Sequence, residues 1–459
     1  MNKVASQLAF LTASRYIIYL LVFCRGLLIA KVFSQEEYAD WGLVMFVSAY
    51  YSIVGFGIPN LVLLSVEKYS SGSKEISKVV GAALIYVAAL AAITSLFILV
   101  LPGVFYELGK SISVQGMIIL AFGLVAIETL RNFARIAGNY RNIVLADAVS
   151  ILPLFLLLLL VPGYLDPQRA LWSLNVGVLC SLLILSKHYS FEFSFKDLSL
   201  FGREIIIRGL PILFYNYSSY SLFLIFRTDI LNSGQDRLIS DFNFAWLLSN
   251  SVIMLIGLLN WYYYPVLLKK INENQDNKFR IMYGEVMLPQ LIIGVVVLFF
   301  APILAKFAID ILFVKYQGSF VHFKHLLSAQ VLLYLTFYSS TYLVAQKRNP
   351  ILYFSGLLAS GLLFLSLLSS AKYYALDLDL KYVILNISCL IFFLILHLST
   401  PLSNNRLVVV VLLLSVVGIN YVILPFKLFI FIYAVFQAYR KRSAIRILLS
   451  KLNETNHNI

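Results

Sequence analysis

Apolar runs of about twenty residues recur along this chain, and few charges interrupt them. That length is what an α-helix needs to cross about 30 Å of hydrocarbon. The runs fall at 8–30, 39–64, 79–101, 114–133, 143–161 and 170–186, then at 209–231, 242–268, 283–307, 323–345, 351–371 and 382–400. A backbone in lipid must satisfy its own hydrogen bonds, so each run reads as a helix. The fold class is an all-α polytopic membrane protein. Composition agrees: 61% of the 459 residues are hydrophobic and 13% are charged, against about 25% charged in a soluble domain. Coiled coil, collagen, disorder and a disulfide scaffold are excluded on the same grounds.

A last run, 407–439, is broken by Pro425. As one helix it would reach about 49 Å and overrun the bilayer, so it reads as a short hairpin. The expectation is about 14 transmembrane helices, with about 12 as the alternative. The polar stretch 187–208 divides two sets of six spans. The expected layout is an N-terminal lobe 1–186, a cytoplasmic linker 187–208, a C-terminal lobe 209–400, and a terminal hairpin with a basic tail, 401–459. An even number of spans per lobe makes the two a parallel pseudo-repeat.

Net charge is +14, from 36 basic and 22 acidic residues. In a soluble chain this would point to nucleic acid. Here, with Met1 placed inside, the loops on the inner side hold roughly 23 basic residues and those on the outer side roughly 10. That is the positive-inside pattern, with both termini cytoplasmic and no nucleic-acid partner. The outer loops are short, which leaves no catalytic ectodomain.

Three arginines remain inside the runs: Arg15 and Arg25 in the first, and Arg227 in the seventh. An arginine at mid-bilayer costs about 2.5–3.5 kcal/mol on insertion scales, so each needs a partner or a ligand. Guanidinium pairs well with phosphate oxygens, so the three are candidate substrate-binding residues of a cationic cavity. The alternative for Arg15 and Arg25 is that they snorkel to opposite interfaces. Asp229 stands two residues after Arg227 and does not face it on a helix; it is a candidate for ion coupling or for a pair across helices. Glu128, Arg131, Arg135 and Asp147 read as an ion-pair cluster at the cytoplasmic edge. Pro59-Asn60 follows Gly55 and Gly57, a combination that favours a bend and makes Pro59 and Asn60 a candidate hinge.

Other signals carry little chemistry. His322 and His325 flank Lys324 without further ligands, so no metal is expected. Asp377-Leu378-Asp379 resembles a sugar-nucleotide motif but lies in an expected outer loop. There is no phosphate-binding glycine loop. Cys24, Cys180 and Cys389 lie in apolar runs and read as small buried hydrophobes. No cofactor is implied, and the chain reads as a non-enzyme.

Two blocks carry a family resemblance. The first runs from Arg25 through Lys31-Val32-Phe33-Ser34-Gln35-Glu36-Glu37-Tyr38, then Trp41-Gly42 and Gly55-Phe56-Gly57-Ile58. The second is Gly209-Leu210-Pro211, Arg227-Thr228-Asp229, Asp241-Phe242 and Tyr264-Pro265. Both resemble the Wzx-type O-antigen or capsule repeat-unit flippases, the polysaccharide branch of the MATE-like exporter superfamily. This sequence has Ala39 where that family usually has glycine. Arg25 with Lys31 also looks like the first-helix basic pair of the related lipid-II flippase. The resemblance implies two MATE-like lobes in the cytoplasmic (inner) membrane and an undecaprenyl-diphosphate-linked oligosaccharide as cargo, moved by alternating access for lipopolysaccharide or other surface polysaccharide. H+ or Na+ is the candidate coupling ion, and other polysaccharide assembly proteins are candidate partners. Two alternatives stand beside it: a multidrug or cation antiporter of the same superfamily, and a membrane-embedded polysaccharide polymerase.

Overall fold

The computed structural model describes residues 3–55, 57–64, 74–100, 112–187, 195–231, 233, 235–272, 276–345, 349–373 and 377–400. The 407–439 run lies outside them. The described residues are helical: α1 Lys3–Val32, α2 Gln35–Val54, α3 Ile58–Leu64, α4 Lys74–Val100, α5 Val114–Ile136, α6 Tyr140–Leu160, α7 Pro167–Ser186, α8 Phe195–Glu204, α9 Leu210–Leu231, α10 Asp236–Asn272, α11 Asp276–Leu312, α12 Ser319–Ala345, α13 Asn349–Tyr373 and α14 Leu378–Leu398. Each of the twelve apolar runs listed first is represented by helix. Among the described residues, 7 helices are long and apolar enough to cross a membrane. Their outward faces carry bare hydrocarbon, such as Leu160 at 74% and Leu183 at 70% exposure. A multi-pass membrane protein explains such faces.

The helix ends follow local chemistry. Ser34 and Glu37 form a reciprocal capping box at the start of α2: the Ser34 amide donates to Glu37 Oε2 at 2.8 Å, and the Glu37 amide donates to Ser34 Oγ at 3.2 Å. The Ser-Gln-Glu-Glu part of the family-like block therefore has a structural reason to exist. Asp166 caps α7 ahead of Pro167 by accepting from the Arg169 amide at 2.7 Å. Asp377 caps α14 by accepting from the Leu378 amide at 2.7 Å, which gives the Asp-Leu-Asp string a role in the fold.

The chain divides into two compact units, the first being Ala9–Asn216 and the second built from the described residues from Tyr217 onward together with those up to Leu8. In the first, α7 packs against both α5 and α6. Small residues make this close approach possible, as is usual between membrane helices. A Cβ on Gly177 would lie 2.3 Å from the Ser150 carbonyl oxygen, and one on Gly123 would lie 2.4 Å from Val178 Cγ1. Ser181 Oγ donates to the Ala146 carbonyl at 2.7 Å, and Asn175 Nδ2 donates to the Gly116 carbonyl at 3.0 Å.

The 187–208 stretch contains a helix, α8, followed by a π-helical turn, Ile205–Gly209. It packs on α4: Tyr86 donates to the Leu198 carbonyl at 3.2 Å, and its ring lies 5.9 Å from that of Phe201. In the second unit α10 packs along α12, and α12 along α14. Its core is aromatic: Phe226, Phe242, Phe244, Tyr316 and Tyr382 are each at most 1% exposed. Phe226 packs at a tilt with its centroid 4.7 Å from that of Tyr382, and Phe244 stacks 4.5 Å from Tyr316.

Candidate functional site

The in-span arginines have three different environments. Arg15, on α1, is 9% exposed. Its Nη2 lies 3.9 Å from Asp147 Oδ2 on α6, and its Nη1 donates to Tyr19 at 3.4 Å. Arg131, on α5, shares the same carboxylate, with Nη2 donating to Asp147 Oδ1 at 2.5 Å, and it also pairs with Glu128 one turn before it. Of the expected cluster of Glu128, Arg131, Arg135 and Asp147, the structure joins Glu128, Arg131 and Asp147 by ion pairs, brings Arg135 into electrostatic range of Glu128, and adds Arg15. One buried carboxylate links α1, α5 and α6.

Arg227, on α9, is 1% exposed, and its Nη2 donates to Asn243 Oδ1 of α10 at 2.8 Å. Two residues on, Asp229 does not face it. Asp229 Oδ2 accepts from Lys381 Nζ of α14 at 2.8 Å, with both side chains about one-fifth exposed. The cross-helix pair is thus the arrangement formed at Asp229. Exposure at this level limits what the pair contributes. A double-mutant cycle on Asp229→Asn and Lys381→Met is expected to give a coupling of roughly 1 kcal/mol in thermal unfolding. A coupling above about 3 kcal/mol would mean a pair far more desolvated than this one.

Arg25 differs from the other two. Its side chain is half-buried on α1, Nε has no hydrogen-bond partner, and no ion pair reaches it among the described residues. Pro59 is buried at the start of α3, where its carbonyl accepts from Asn132 Nδ2 of α5 at 2.8 Å. The Asn60 backbone continues α3; its side chain lies outside the described residues. The bend itself comes just before, where Gly57 has φ +70 and lies against Gly209. Two of the sequence blocks, Gly55-x-Gly57 and Gly209-Leu210-Pro211, therefore meet in space.

A polar chain in the second unit, buried except at its Asp379 end, had no assigned role in the sequence. His322 Nδ1 lies 2.5 Å from the Tyr382 hydroxyl, His325 stacks on the Tyr382 ring at 4.8 Å, and His325 Nε2 lies 3.8 Å from Asp379 Oδ1. Among the described residues no group of three or more His, Cys, Asp or Glu could hold a metal ion. The only sequence signal for this chain of contacts was the i, i+3 histidine spacing, because Tyr382 is distant in sequence.

No protein-family model matches the sequence, and no curated protein matches it. Solved structures do match in fold. An outward-facing multidrug resistance MATE family transporter of the MOP superfamily superposes with a TM-score of 0.62 at 15% identity, covering 89% of this chain and 96% of its own. A MATE structure in the straight conformation gives 0.60 at 14% identity, covering 89% and 96%. A MOP superfamily transporter from Pyrococcus furiosus, described as having a binding pocket of reverse polarity that suggests a different function, gives 0.60 at 15% identity, covering 86% and 94%. In fold, then, the chain is similar to the MATE family transporters of the MOP superfamily.

Proposed function

We propose that this chain is a transporter of an anionic, lipid-linked oligosaccharide, moved as an undecaprenyl-diphosphate repeat unit across the cytoplasmic membrane. The observation that carries the reading is Arg25, a guanidinium within an apolar span with no counter-ion among the described residues. Such a charge calls for an anion, and a diphosphate presents oxygens with suitable geometry. Arg15 and Arg227 remain candidate substrate-binding residues of the same reading, with Arg15 the more restrained because Asp147 already engages it. The reading keeps two lobes of six spans on either side of 187–208, both termini inside, and a hinge at Pro59 and Asn60. Alternating access would carry the headgroup outward while the polyprenyl tail stays in lipid.

The multidrug or cation antiporter is the second reading, favoured by the description of one neighbour as a multidrug resistance transporter. A cationic cargo needs available carboxylates within the spans. Asp147 and Asp229 are both engaged by cationic side chains. A neighbour with the same fold is described as having a pocket of reverse polarity, so the fold is not tied to one sign of cargo charge. For Asp229 as an ion-coupling residue, an incoming Na+ or H+ would compete with the Lys381 ammonium.

Deletion of the gene, followed by analysis of lipid-linked oligosaccharides by leaflet, tests the reading. Accumulation on the cytoplasmic leaflet with loss of surface glycan is expected, and unchanged glycan sinks it. Complementation with Arg25→Ala is expected to restore less than about a tenth of transport at normal protein levels, since a lost charge-assisted contact is worth about 1.5–3 kcal/mol. Normal transport by that variant removes Arg25 from the mechanism.

A further inference from the structure

Asp241, near the start of α10, is an anomaly independent of what the chain carries. It is 5% exposed. Its Oδ1 is enclosed without a hydrogen-bond partner, and no ion pair reaches the carboxylate among the described residues. Nearly all buried polar groups in folded proteins are bonded, and an isolated buried carboxylate is among the least tolerated exceptions.

Its surroundings are oxygen-rich and tightly packed. The carboxylate lies against Gly318, immediately before α12: a Cβ there would fall 2.2 Å from Oδ2 and 3.0 Å from Cγ. The Ser240 and Ser319 hydroxyls are fully buried; Ser240 faces the Tyr316 hydroxyl, and Ser319 Oγ has no hydrogen-bond partner. Tyr316, two residues before Gly318, is fully buried against Phe244. With Gly318 on the Oδ2 side, space for an ion and its ligand shell is restricted. A proton needs no such shell, and it turns Oδ1 from an unsatisfied acceptor into a donor.

We propose that Asp241 is a proton-binding site of the second unit, holding a proton on its carboxyl while α10 and the Gly318 turn are packed together and exchanging it with water when they part. The proton moves between Oδ1 and water, and no other bond changes. The charged and titratable groups on the surrounding elements are Asp236 and Arg237 near the start of α10, Lys315 and Tyr316 on the turn, His322, Lys324 and His325 on α12, and Arg227 and Asp229 on α9; Arg237 and Tyr316 interact electrostatically with Asp241. Asp241 stands one residue before the apolar run 242–268. Burial raises its proton affinity, and the Arg237 charge opposes this in part.

The test uses the full-length chain in nanodiscs of zwitterionic lipid, followed by difference infrared spectroscopy across a pH titration. The expected result is a carboxylic-acid C=O band that disappears as pH rises. The band is absent in Asp241→Asn and Asp241→Ser, and it is unchanged when NaCl replaces choline chloride. If no band depends on Asp241, the proposal is overturned. A band displaced by NaCl at fixed pH also overturns it, because the occupant is then a metal cation. Thermal melts give a second readout. A folded state that keeps its proton above the ordinary aspartate value of about 3.9 binds more protons than the unfolded chain, so stability falls as pH rises above that value. Asp241→Asn, a near-isostere of the neutral acid, is expected to lack that component of the fall. Identical pH profiles for wild type and Asp241→Asn contradict the proposal.

Discussion

Asp147→Ala is expected to destabilise the first unit by about 3–5 kcal/mol. The carboxylate is 8% exposed and is engaged by Arg131 at 2.5 Å and Arg15 at 3.9 Å. Removing it leaves positive charge concentrated within apolar packing. Arg131 retains Glu128, which is 30% exposed, and Arg15 retains the Tyr19 hydroxyl and a longer-range attraction to Glu128. Truncating one partner of a buried ion pair costs more than the pair itself contributes, because the remaining charge stays buried. Asp147→Asn keeps an acceptor and should lose less. Glu128→Ala, at the exposed end of the cluster, should cost under about 1 kcal/mol. Adding Arg15→Met to Asp147→Ala should recover part of the loss, since the second change removes a charge the first left without its carboxylate. Thermal unfolding of the purified chain in detergent ranks the four variants. If Asp147→Ala melts with the wild type, the cluster is solvated.

How far the sequence carried depends on the range of each interaction. The spans were legible because hydrophobic transfer is a local sum: about twenty apolar residues form a helix in lipid whatever lies elsewhere in the chain. The bend after α2 was legible for a similar reason, since glycine and proline act on their own backbone. The sequence pointed to Pro59-Asn60, whereas the left-handed residue is Gly57; the contact that stabilises the bend, Gly209, is remote in sequence. Helix α8 was read as part of a linker. Its ten residues are too short for a span, and its apolar positions Phe195, Leu198 and Phe201 follow a helical repeat that a hydropathy window averages away. Of the in-span charges, sequence identified which residues needed partners but not which partners they had. Arg15 and Asp147 come together from separate helices, as do Asp229 and Lys381. Glu128 and Arg131, at i, i+3, were the pair a helical repeat could supply. Asp241 stood out in the sequence only as a member of the second family-like block, just before an apolar run. Its isolation depends on Gly318 and Ser319, which no local pattern links to it.

Gly57→Ala should have the second large effect, and a control within the same unit separates its two causes. Gly57 and Gly138 both have φ +70, so alanine at either position meets the left-handed penalty of about 1–2 kcal/mol. Nothing lies within 4 Å of a Cβ on Gly138, whereas a Cβ on Gly57 would sit 2.6 Å from the Gly209 carbonyl oxygen. That neighbour is backbone at the end of the π-helical turn and cannot rotate aside as a side chain can. The turn must shift, with the start of α9, or the bend must open and disturb the bond from Asn132 to the Pro59 carbonyl. Overpacking of this kind costs about 1–3 kcal/mol beyond the conformational penalty. Gly57→Ala should therefore lose about 2–5 kcal/mol, and Gly138→Ala about half as much or less. Equal melting temperatures for the two variants would show that the approach to Gly209 adds nothing. If Gly57→Ala also blocks transport after its stability is restored by lower temperature, the bend takes part in the working cycle. If transport returns with stability, the bend serves only to pack α3 against α5 and the π-helical turn.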